Sequence, residues 1–353
     1  MRILVLRYRF IGDTILTVPF LRNLRRAEPH ARIDWVVAPG SSDVVRGIPY
    51  VDELIYWDPV TIHADSRGTH RSWREKFDFI RELRRKKYDK VYVLKRSLSS
   101  AIMAFLIGAP ERIGFDTEGR GLLLTKRVPY RHDQHEVQNF LDVLRADGVP
   151  VVDDHLELWP TKEEKERLDS LLTTEGVREN ERLVAIHPFS AVVERGWPLE
   201  NFAKLAGRLQ AQGMRPILLG GPRDRELFEP AQANFPDTTI DLVGRCSLRE
   251  TAALLRRSSL FVGNDSGVMH LAAAAGTPLV ALFGPQSPVK FGPWSAKARV
   301  IYHPFPCSPC RQKFFKECQP SPRNRPACVE AISVDEVVTQ CQQLLHEEGA
   351  VHG

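Results

Sequence analysis

The stretch that decides the fold is LFVGNDSGVMHLAAAAGTPLVALF, residues 260–283. Three apolar residues lead into Gly263-Asn264-Asp265-Ser266-Gly267, and small helix-forming residues follow until Gly276. A second apolar run, Leu279–Phe283, comes directly after that glycine. A strand, a helix and another strand in this order predict a βαβ unit with parallel strands.

The same alternation of strands and amphipathic helices runs through the rest of the chain. Predicted strands are Ile3–Leu6, Ile33–Val37 and Lys90–Leu94 in the first half, and Leu183–Ile186, Ile217–Leu219 and Ile240–Val243 in the second. Parallel strands joined by helices form sheets that are covered on both faces. We therefore predict an α/β protein with two doubly wound domains facing one cleft. The charged stretch between Leu158 and Arg182 separates a first domain, residues 1–165, from a second domain, residues 180–332.

Composition narrows the class of protein. Hydrophobic residues make up 43% and charged residues 26% of the 353-residue chain, as in ordinary globular proteins. The longest apolar stretch, Ala101–Ala109, is too short to span a membrane, and the N-terminal run Ile3–Leu6 is too short for a signal peptide. We therefore expect a cytoplasmic protein. The net charge of +5 favours an anionic substrate or an anionic membrane surface over a nucleic-acid partner.

Several known nucleotide-binding motifs are missing from the sequence. The chain has no Gly-x-Gly-x-x-Gly fingerprint, no P-loop and no Asp-x-Asp pair. Dinucleotide-dependent redox enzymes, ordinary kinases and the metal-dependent nucleotide-sugar enzymes that use an Asp-x-Asp pair are therefore disfavoured.

The loop after the strand at residue 260 is the first candidate for an anion site. Free backbone N–H groups at the helix start, Gly267, and the hydroxyl of Ser266 would donate to a phosphate. A plain Asx turn followed by an N-cap explains the same residues equally well.

Two further loops of the second half carry polar groups in similar positions. Ser190 and Arg195 precede a helix and suit a diphosphate, unless Trp197 packs in the core and Arg195 is a solvated surface charge. Asp224 follows a glycine turn, where a carboxylate either accepts from ribose hydroxyls or caps its own turn.

Asp13 is the corresponding candidate in the first half, since it lies where the first helix begins. A carboxylate in this position is commonly an N-cap. It would also point into the predicted cleft, where it could take the proton from an acceptor hydroxyl as a general base.

Four cysteines crowd into one Pro-rich segment: Cys307, Cys310, Cys318 and Cys328. The first two have the spacing of zinc ligands, while the other two are spaced too widely for a regular zinc ribbon. A structural zinc site, reduced cysteines and an adventitious disulfide are the alternatives.

Motifs over nearly the whole chain share one resemblance. They are Met1-Arg2-Ile3-Leu4-Val5-Leu6-Arg7 with Gly12-Asp13-Thr14 and Thr17-Val18-Pro19, Gly108-Ala109-Pro110 with Arg112-Ile113-Gly114-Phe115, His135-Glu136-Val137, Gly263-Asn264-Asp265-Ser266-Gly267 with His270, Gly276-Thr277-Pro278, and Leu282-Phe283-Gly284-Pro285. In this order they resemble the bacterial lipopolysaccharide heptosyltransferases, which are family 9 glycosyltransferases. The resemblance implies the GT-B fold, two Rossmann-like domains whose C-terminal helix, here residues 333–353, crosses back to the N-terminal domain.

The resemblance also implies an activity. The family transfers heptose from ADP-L-glycero-D-manno-heptose, with inversion, to Kdo–lipid A or to the heptose already added to it, and it needs no metal and no other cofactor. Carried over, it makes Asp13 the catalytic base. The implied donor-binding residues are Ser190, Arg195, Asp224, Asp265, Ser266, Gly267 and His270. The implied acceptor-binding residues are Arg7, Lys95, Arg96, Arg112 and His135.

The chain departs from the family pattern in two places. It reads His187-Pro188-Phe189-Ser190 where the family usually has Asn-Pro-Gly-Ala, and Lys95-Arg96 where many members have Gln-Gly. The second change makes the predicted acceptor pocket more basic.

The acceptor implied by the resemblance is anchored in the inner leaflet of the cytoplasmic membrane, so we expect a peripheral membrane protein. The basic helix Arg74–Lys87 would then face the anionic surface, or it is a solvated helix face. Alternatives to the heptosyltransferase are a GT-B transferase that uses a UDP-sugar, a sugar-nucleotide epimerase and a non-catalytic nucleotide-binding relative.

Overall fold

A computed structural model describes residues 1–58, 72–117, 119–310, 318 and 325–351. The chain divides into two compact units, Met1–Trp159 and Pro160–Gly353. Each unit contains a parallel six-stranded sheet with helices, so the predicted pair of doubly wound α/β domains is confirmed.

The sheet of the first unit has the order β3-β2-β1-β4-β5-β6. Its strands are β1 (Arg2–Leu6), β2 (Arg32–Val37), β3 (Glu53–Tyr56), β4 (Lys90–Val93), β5 (Glu111–Phe115) and β6 (Lys126–Val128). Its helices are α1 (Ile11–Leu16), α2 (Val18–Ala27), α3 (Pro39–Ser42), α4 (Trp73–Arg85), α5 (Leu98–Ile107) and α6 (Glu136–Ala146), with 3-10 segments at Asp43–Val45 and Arg120–Leu123. After β3 the chain returns to the other side of β1, so the strand order reverses between β1 and β4.

The sheet of the second unit repeats this plan with the order β12-β11-β10-β7-β8-β9. Its strands are β7 (Leu183–His187), β8 (Arg215–Leu218), β9 (Ile240–Asp241), β10 (Leu260–Asn264), β11 (Leu279–Phe283) and β12 (Ala298–Tyr302). Its helices are α7 (Lys162–Thr174), α8 (Leu199–Gln210), α9 (Arg225–Phe228), α10 (Leu248–Arg257), α11 (Gly267–Ala275), α12 (Pro288–Phe291), α13 (Ala327–Glu330) and α14 (Val334–Val351). Three 3-10 segments lie at Val193–Arg195, Pro222–Asp224 and Glu229–Asn234. Here the order reverses between β7 and β10.

Each sheet is buried because its strands are apolar on both sides. In the first unit, Leu4 and Val91 pack with Phe79 and Leu83 of α4 and with Met103 of α5. None of the helices in the described part of the chain combines the length and the apolar character needed to cross a bilayer.

The last helix, α14, belongs to the core of the second unit. Val337, Val338, Cys341 and Leu344 are buried there together with Phe202 and Leu205 of α8. That the segment 333–353 crosses back to the first unit stays a prediction.

The segment before residue 159 is fastened to the first unit by polar contacts. The buried guanidinium of Arg22 donates to Asp153 and to Glu157, and the Asn23 amide donates to the Asp153 carbonyl at 2.7 Å. Helix α7, which follows residue 160, falls in the stretch that we predicted to separate the domains. A capping box starts it: Thr161 Oγ1 accepts from the Glu164 N–H and Glu164 Oε2 accepts from the Thr161 N–H.

Candidate functional site

The predicted site residues lie mainly at two sheet edges, one in each unit. In doubly wound sheets, ligands bind beyond the carboxyl ends of the strands where the strand order reverses. In the first unit this is the edge shared by β1 and β4, which are followed by Arg7 and Lys95 respectively. In the second unit it is the edge shared by β7 and β10, which are followed by Ser190 and Asp265.

Asp13 forms an ion pair with the residue that follows β1. Its Oδ1 lies 2.5 Å from Nη2 of Arg7, and the two side chains are 16% and 11% exposed. No backbone N–H of a described residue donates to the Asp13 carboxylate, and α1 has no side-chain cap. The N-cap alternative is therefore not what the structure shows. Arg7 holds one carboxylate oxygen in place and leaves the other available to accept a proton.

Arg7 is itself fixed from two sides. Its guanidinium carbon lies 5.1 Å from the centre of the Phe140 ring, and its carbonyl accepts a hydrogen bond from Trp35 Nε1 at 3.0 Å. Its buried Nε–H makes no hydrogen bond to any residue in the described part of the chain.

Lys95 lies against the same strand end without a carboxylate partner among the described residues. Its Nζ is 4.0 Å from the centre of the Tyr8 ring, which is buried and held by a 2.8 Å hydrogen bond between Tyr8 Oη and Ser100 Oγ. Burial lowers the pKa of Lys95 to about 7, with further lowering by the cations of Arg9 and Arg7. The Asp13 carboxylate acts in the opposite direction.

Arg96 repeats this arrangement on the next residue. Its guanidinium carbon lies 4.1 Å from the centre of the Tyr130 ring, and Tyr130 donates to Glu136 Oε1 at 2.7 Å.

The backbone of Arg9 is strained. Its φ is 120°, which is rare for residues other than glycine and costs roughly 1–3 kcal/mol. Such strain is typical of loops whose shape serves a ligand.

The two other predicted acceptor residues make hydrogen bonds within the first unit. Arg112 donates to the carbonyls of Leu123 at 2.9 Å and Ala109 at 2.6 Å. His135 is the N-cap of α6, where its Nδ1 accepts from the Val137 N–H at 3.2 Å. Contact of these two side chains with an acceptor stays a prediction.

Asn264 joins the two loops of the second unit, a role that our sequence analysis missed. The side chain is completely buried. Its Oδ1 accepts from the Trp197 N–H at 3.0 Å and its Nδ2 donates to the Pro188 carbonyl at 2.8 Å. The loop after β7 is therefore held at both ends by the last residue of β10. The signal in the sequence is an amide at the end of an otherwise apolar strand.

Ser266 lies at the start of α11 and faces a histidine of the neighbouring strand. Its Oγ is 3.3 Å from Nδ1 of His187, and it makes no capping hydrogen bond. Burial lowers the pKa of His187 to about 4, so this imidazole is neutral at physiological pH. Gly263 permits the close contact between β10 and β7, because a Cβ there would lie 3.0 Å from the His187 carbonyl oxygen. The hydroxyl and the first N–H groups of α11, beginning at Gly267, are thus open to an anion.

Arg195 and Asp265 interact across the same sheet edge. Burial raises the pKa of Asp265 to about 6, and the charge of Arg195 opposes this rise. Ser190 is half-buried and makes no hydrogen bond with a described residue. His270 is buried one turn into α11. A diphosphate at this edge would meet one guanidinium, two hydroxyls and the helix start.

Asp224 caps its own turn. Its Oδ2 accepts from the Gly221 N–H at 2.7 Å, and burial raises its pKa. Contact with a ribose through the other oxygen stays a prediction.

Phe189, which departs from the family pattern, is buried against Gly220, where a Cβ would lie 2.7 Å from its ring. The glycine therefore makes room for the larger side chain.

The clustered cysteines lie close enough to one another to interact. Burial raises the pKa of Cys328 to about 11, with Cys318, Cys310 and Cys307 adding to the rise. Within the described ranges, which include these four residues, no three Cys, His, Asp or Glu side chains are grouped so that they could hold a metal ion. The choice between a structural zinc site, reduced cysteines and a disulfide stays a prediction.

Comparison with known proteins identifies the family. The family model described as glycosyltransferase family 9 (heptosyltransferase) matches residues 76–319. Lipopolysaccharide heptosyltransferase 2 of Salmonella typhimurium is 31% identical over 312 residues, which cover 85% of this chain and 88% of that protein.

Solved structures agree with the sequence comparison. A family 9 glycosyltransferase from Veillonella parvula superposes with a TM-score of 0.86 at 29% identity, covering 98% of this chain and 97% of that one. The ADP-heptose lipopolysaccharide heptosyltransferase II of E. coli gives a TM-score of 0.77 at 25% identity, with 99% and 100% covered. The chain therefore belongs to glycosyltransferase family 9 (heptosyltransferase) and has the two-domain GT-B fold of that family.

Proposed function

We propose that this protein transfers a heptosyl group from ADP-heptose to a hydroxyl of the lipopolysaccharide inner core, with inversion at the anomeric carbon. Support comes from family membership and from the names of its relatives, a lipopolysaccharide heptosyltransferase 2 and an ADP-heptose lipopolysaccharide heptosyltransferase II. The single observation that carries the proposal is the Asp13 carboxylate, which Arg7 holds at the edge where β1 and β4 end.

Asp13 is the general base of the proposed reaction. The acceptor oxygen attacks the anomeric carbon, its proton passes to the free carboxylate oxygen of Asp13, and the bond from the anomeric carbon to the phosphate oxygen breaks. ADP leaves with the electron pair of that bond. Because a single displacement occurs on the face opposite the leaving group, the configuration inverts. General-base catalysis of this kind contributes about 100- to 10,000-fold to the rate.

The donor side of the proposal uses groups of the second unit. Negative charge grows on the diphosphate as the bond breaks, and Arg195, the Ser266 hydroxyl and the N–H groups at the start of α11 stabilise it. In this proposal these groups take the place of a metal ion, so chelators do not change the rate. Ser190, Asp224, Asp265 and His270 complete the donor-binding set.

The acceptor side uses the cations of the first unit. Lys95 is a half-buried ammonium with no carboxylate partner among the described residues, and Arg96, Arg7 and Arg9 lie near it. Such a group favours an anionic acceptor, as the inner core of lipopolysaccharide is. The protein would meet this lipid-linked acceptor as a peripheral protein at the inner face of the cytoplasmic membrane.

The KM for the acceptor is expected to rise with pH in the wild-type protein. The pKa of Lys95 is about 7 in the free protein, so the ammonium is present below that pH and is lost above it. If the acceptor anion needs the ammonium, its KM rises by up to about tenfold for each pH unit above about 7. Steady-state kinetics between about pH 6 and about pH 9 measures this, and the KM for the donor serves as the internal reference.

Lys95→Arg is the matched variant, because arginine stays charged throughout this range. It is expected to flatten the pH profile of the acceptor KM, whereas Lys95→Met raises that KM below about pH 7 and changes it little well above that pH, where the wild-type amine is neutral. A wild-type acceptor KM that does not change with pH would remove Lys95 from the acceptor site.

Product analysis tests the function itself. The protein is incubated with ADP-heptose and inner-core acceptors, and the release of ADP and the anomeric configuration of the product are measured. Binding of ADP and UDP is compared by thermal unfolding, where a ligand at about 100 times its Kd stabilises by roughly 2.7 kcal/mol. A preference for UDP, or nucleotide release without any acceptor, would instead favour a UDP-sugar transferase or an epimerase.

A further inference from the structure

Helices α4 and α5 carry large apolar side chains on their exposed surface. Trp73 is 87% exposed and Phe77 is 63% exposed, and Leu122 in the neighbouring 3-10 segment is 80% exposed. The exposed apolar side chains of α5 are Leu98, Ile102, Phe105 and Leu106. Large contiguous apolar patches are rare on soluble monomers and mark interaction sites.

Helix α5 is apolar on both of its faces. Ala101, Ala104 and Ile107 are buried against the sheet, while the exposed residues 98, 102, 105 and 106 follow one another at the spacing of a single helical stripe. A helix that is apolar all round needs a second apolar environment besides its own core.

The exposed side chains of the two helices lie on one surface. The helices pack side by side on the same face of the first sheet, and Nη1 of Arg84 donates to the Leu106 carbonyl at 3.4 Å. Phe77 lies two turns before Arg84 and Trp73 lies three turns before it, so all three occupy the α4 face that is turned toward α5. We call this surface the α4–α5 face; it consists of residues 73, 77, 98, 102, 105, 106 and 122.

Cations accompany the aromatic rings of this face. Lys76 Nζ lies 5.3 Å from the centre of the Trp73 ring, and the Arg112 guanidinium lies 5.5 Å from that of Phe105. The thirteen residues of α4 hold five Arg and Lys but three Asp and Glu. Exposed aromatic and aliphatic side chains among cations are typical of surfaces that bind an anionic bilayer. There the rings enter the headgroup region and the cations contact lipid phosphates.

We propose that the α4–α5 face binds the surface of an anionic lipid bilayer. This inference rests on the proposed function, because a lipid-linked acceptor is met at such a surface. Helix α5 begins two residues after Arg96, so the face adjoins the edge that holds Lys95 and Asp13. Binding there would present the acceptor hydroxyl to Asp13 while the lipid anchor stays in the bilayer.

Co-sedimentation with vesicles tests the inference. Wild-type protein is expected to bind vesicles of phosphatidylethanolamine with phosphatidylglycerol and to bind them less at high salt. It is expected to bind poorly to phosphatidylcholine vesicles, which carry no net charge. Trp73→Ser, Phe77→Ser and Ile102→Ser are each expected to weaken binding by about tenfold, and by more in combination, since each removes an apolar side chain from the lipid interface. Val152→Ser and Val289→Ser, which alter exposed valines elsewhere, are expected to bind as wild type.

Two outcomes would overturn the inference. One is equal vesicle binding by wild type and the combined variant. The other is a wild-type dimer in sedimentation analysis that the combined variant loses, which would assign the face to a second copy of the chain. Circular dichroism of each variant checks that the fold is retained.

Transfer assays separate this inference from the proposed function. With an acceptor stripped of its acyl chains, the combined variant is expected to turn over as wild type, whereas transfer to acceptor embedded in vesicles falls at least tenfold. If ADP-heptose is not the donor, no transfer occurs in either assay, while the vesicle-binding result still stands. Equal transfer by both proteins to the embedded acceptor contradicts a role of this face in acceptor presentation.

Discussion

Asp13→Asn is expected to lower kcat by about 100-fold or more while the Kd for ADP-heptose stays within twofold of wild type. Asparagine keeps the shape of the side chain and its oxygen toward Arg7, but it cannot take the acceptor proton. If Asp13 served only as the ion-pair partner of Arg7, the variant would lose stability while the folded protein kept a kcat near wild type, so its melting temperature is measured as well. Single-turnover kinetics together with donor titration measures both quantities.

Asp43→Asn is the matched control for this variant. Asp43 lies in the same unit and pairs at 2.6 Å with the exposed Arg46 in an i, i+3 ion pair at the surface. Such surface pairs contribute about 0–1 kcal/mol, so turnover and melting temperature are expected to match wild type. If Asp13→Asn and Asp43→Asn turned over equally fast, Asp13 would lose its assignment as the base.

Arg195→Ala is expected to weaken the binding of both ADP and ADP-heptose by roughly 10- to 100-fold. A hydrogen bond to a charged group is worth about 1.5–3 kcal/mol, and the guanidinium meets the diphosphate before and during the reaction. Turnover is expected to fall as well, since the charge on the leaving group is larger in the transition state. Calorimetric titration with ADP measures the Kd alone, because ADP carries no sugar that could be transferred.

Arg208→Ala provides the comparison in the second unit. Arg208 is exposed and pairs with Asp335 at 2.9 Å, so its removal tests the general effect of losing a cation there. ADP affinity is expected to be unchanged in this variant. If the Arg195 and Arg208 variants bound ADP equally well, the donor diphosphate would have to lie elsewhere.

The strands and helices could be predicted where the turn and capping residues and the pattern of apolar residues indicate the same element. The run at residues 260–283 forms β10, α11 and β11, and Gly276 has the positive φ of 77° expected after a helix end. Ser247 and Glu250 have the spacing of a capping box in the sequence, and the structure shows it, with Ser247 Oγ accepting from the Glu250 N–H at 3.2 Å. Local chemistry fixes these features, so the sequence suffices.

Other elements escaped prediction because local and tertiary signals disagree. The predicted first helix is two helices, α1 and α2, since Pro19 lacks the N–H that would continue the ladder past Thr17. Helix α7 lies in a charged stretch that we predicted as the boundary between domains. Only two of its residues, Leu168 and Leu172, are buried. The sequence therefore shows few apolar residues at helical spacing there.

The candidate site could likewise be predicted only in part. Sequence motifs pointed to the residues at the strand ends, because parallel strands bring those ends to one edge. They could not show that Arg112 donates to backbone carbonyls, or that the Lys95 ammonium rests on the Tyr8 ring. Both depend on contacts between residues that are distant in the chain.

The Asn264 amide also sets an order of events during synthesis of the chain. Its partners, the Trp197 N–H and the Pro188 carbonyl, lie 67 and 76 residues earlier in the chain. A nascent chain that has emerged as far as β9 therefore has β7 and β8 but no residue to fasten the loop between β7 and α8. That loop lacks its Asn264 anchor until β10 has paired with β7. In the proposed reaction, the donor site of the second unit is accordingly completed late in synthesis, after β10 has been made.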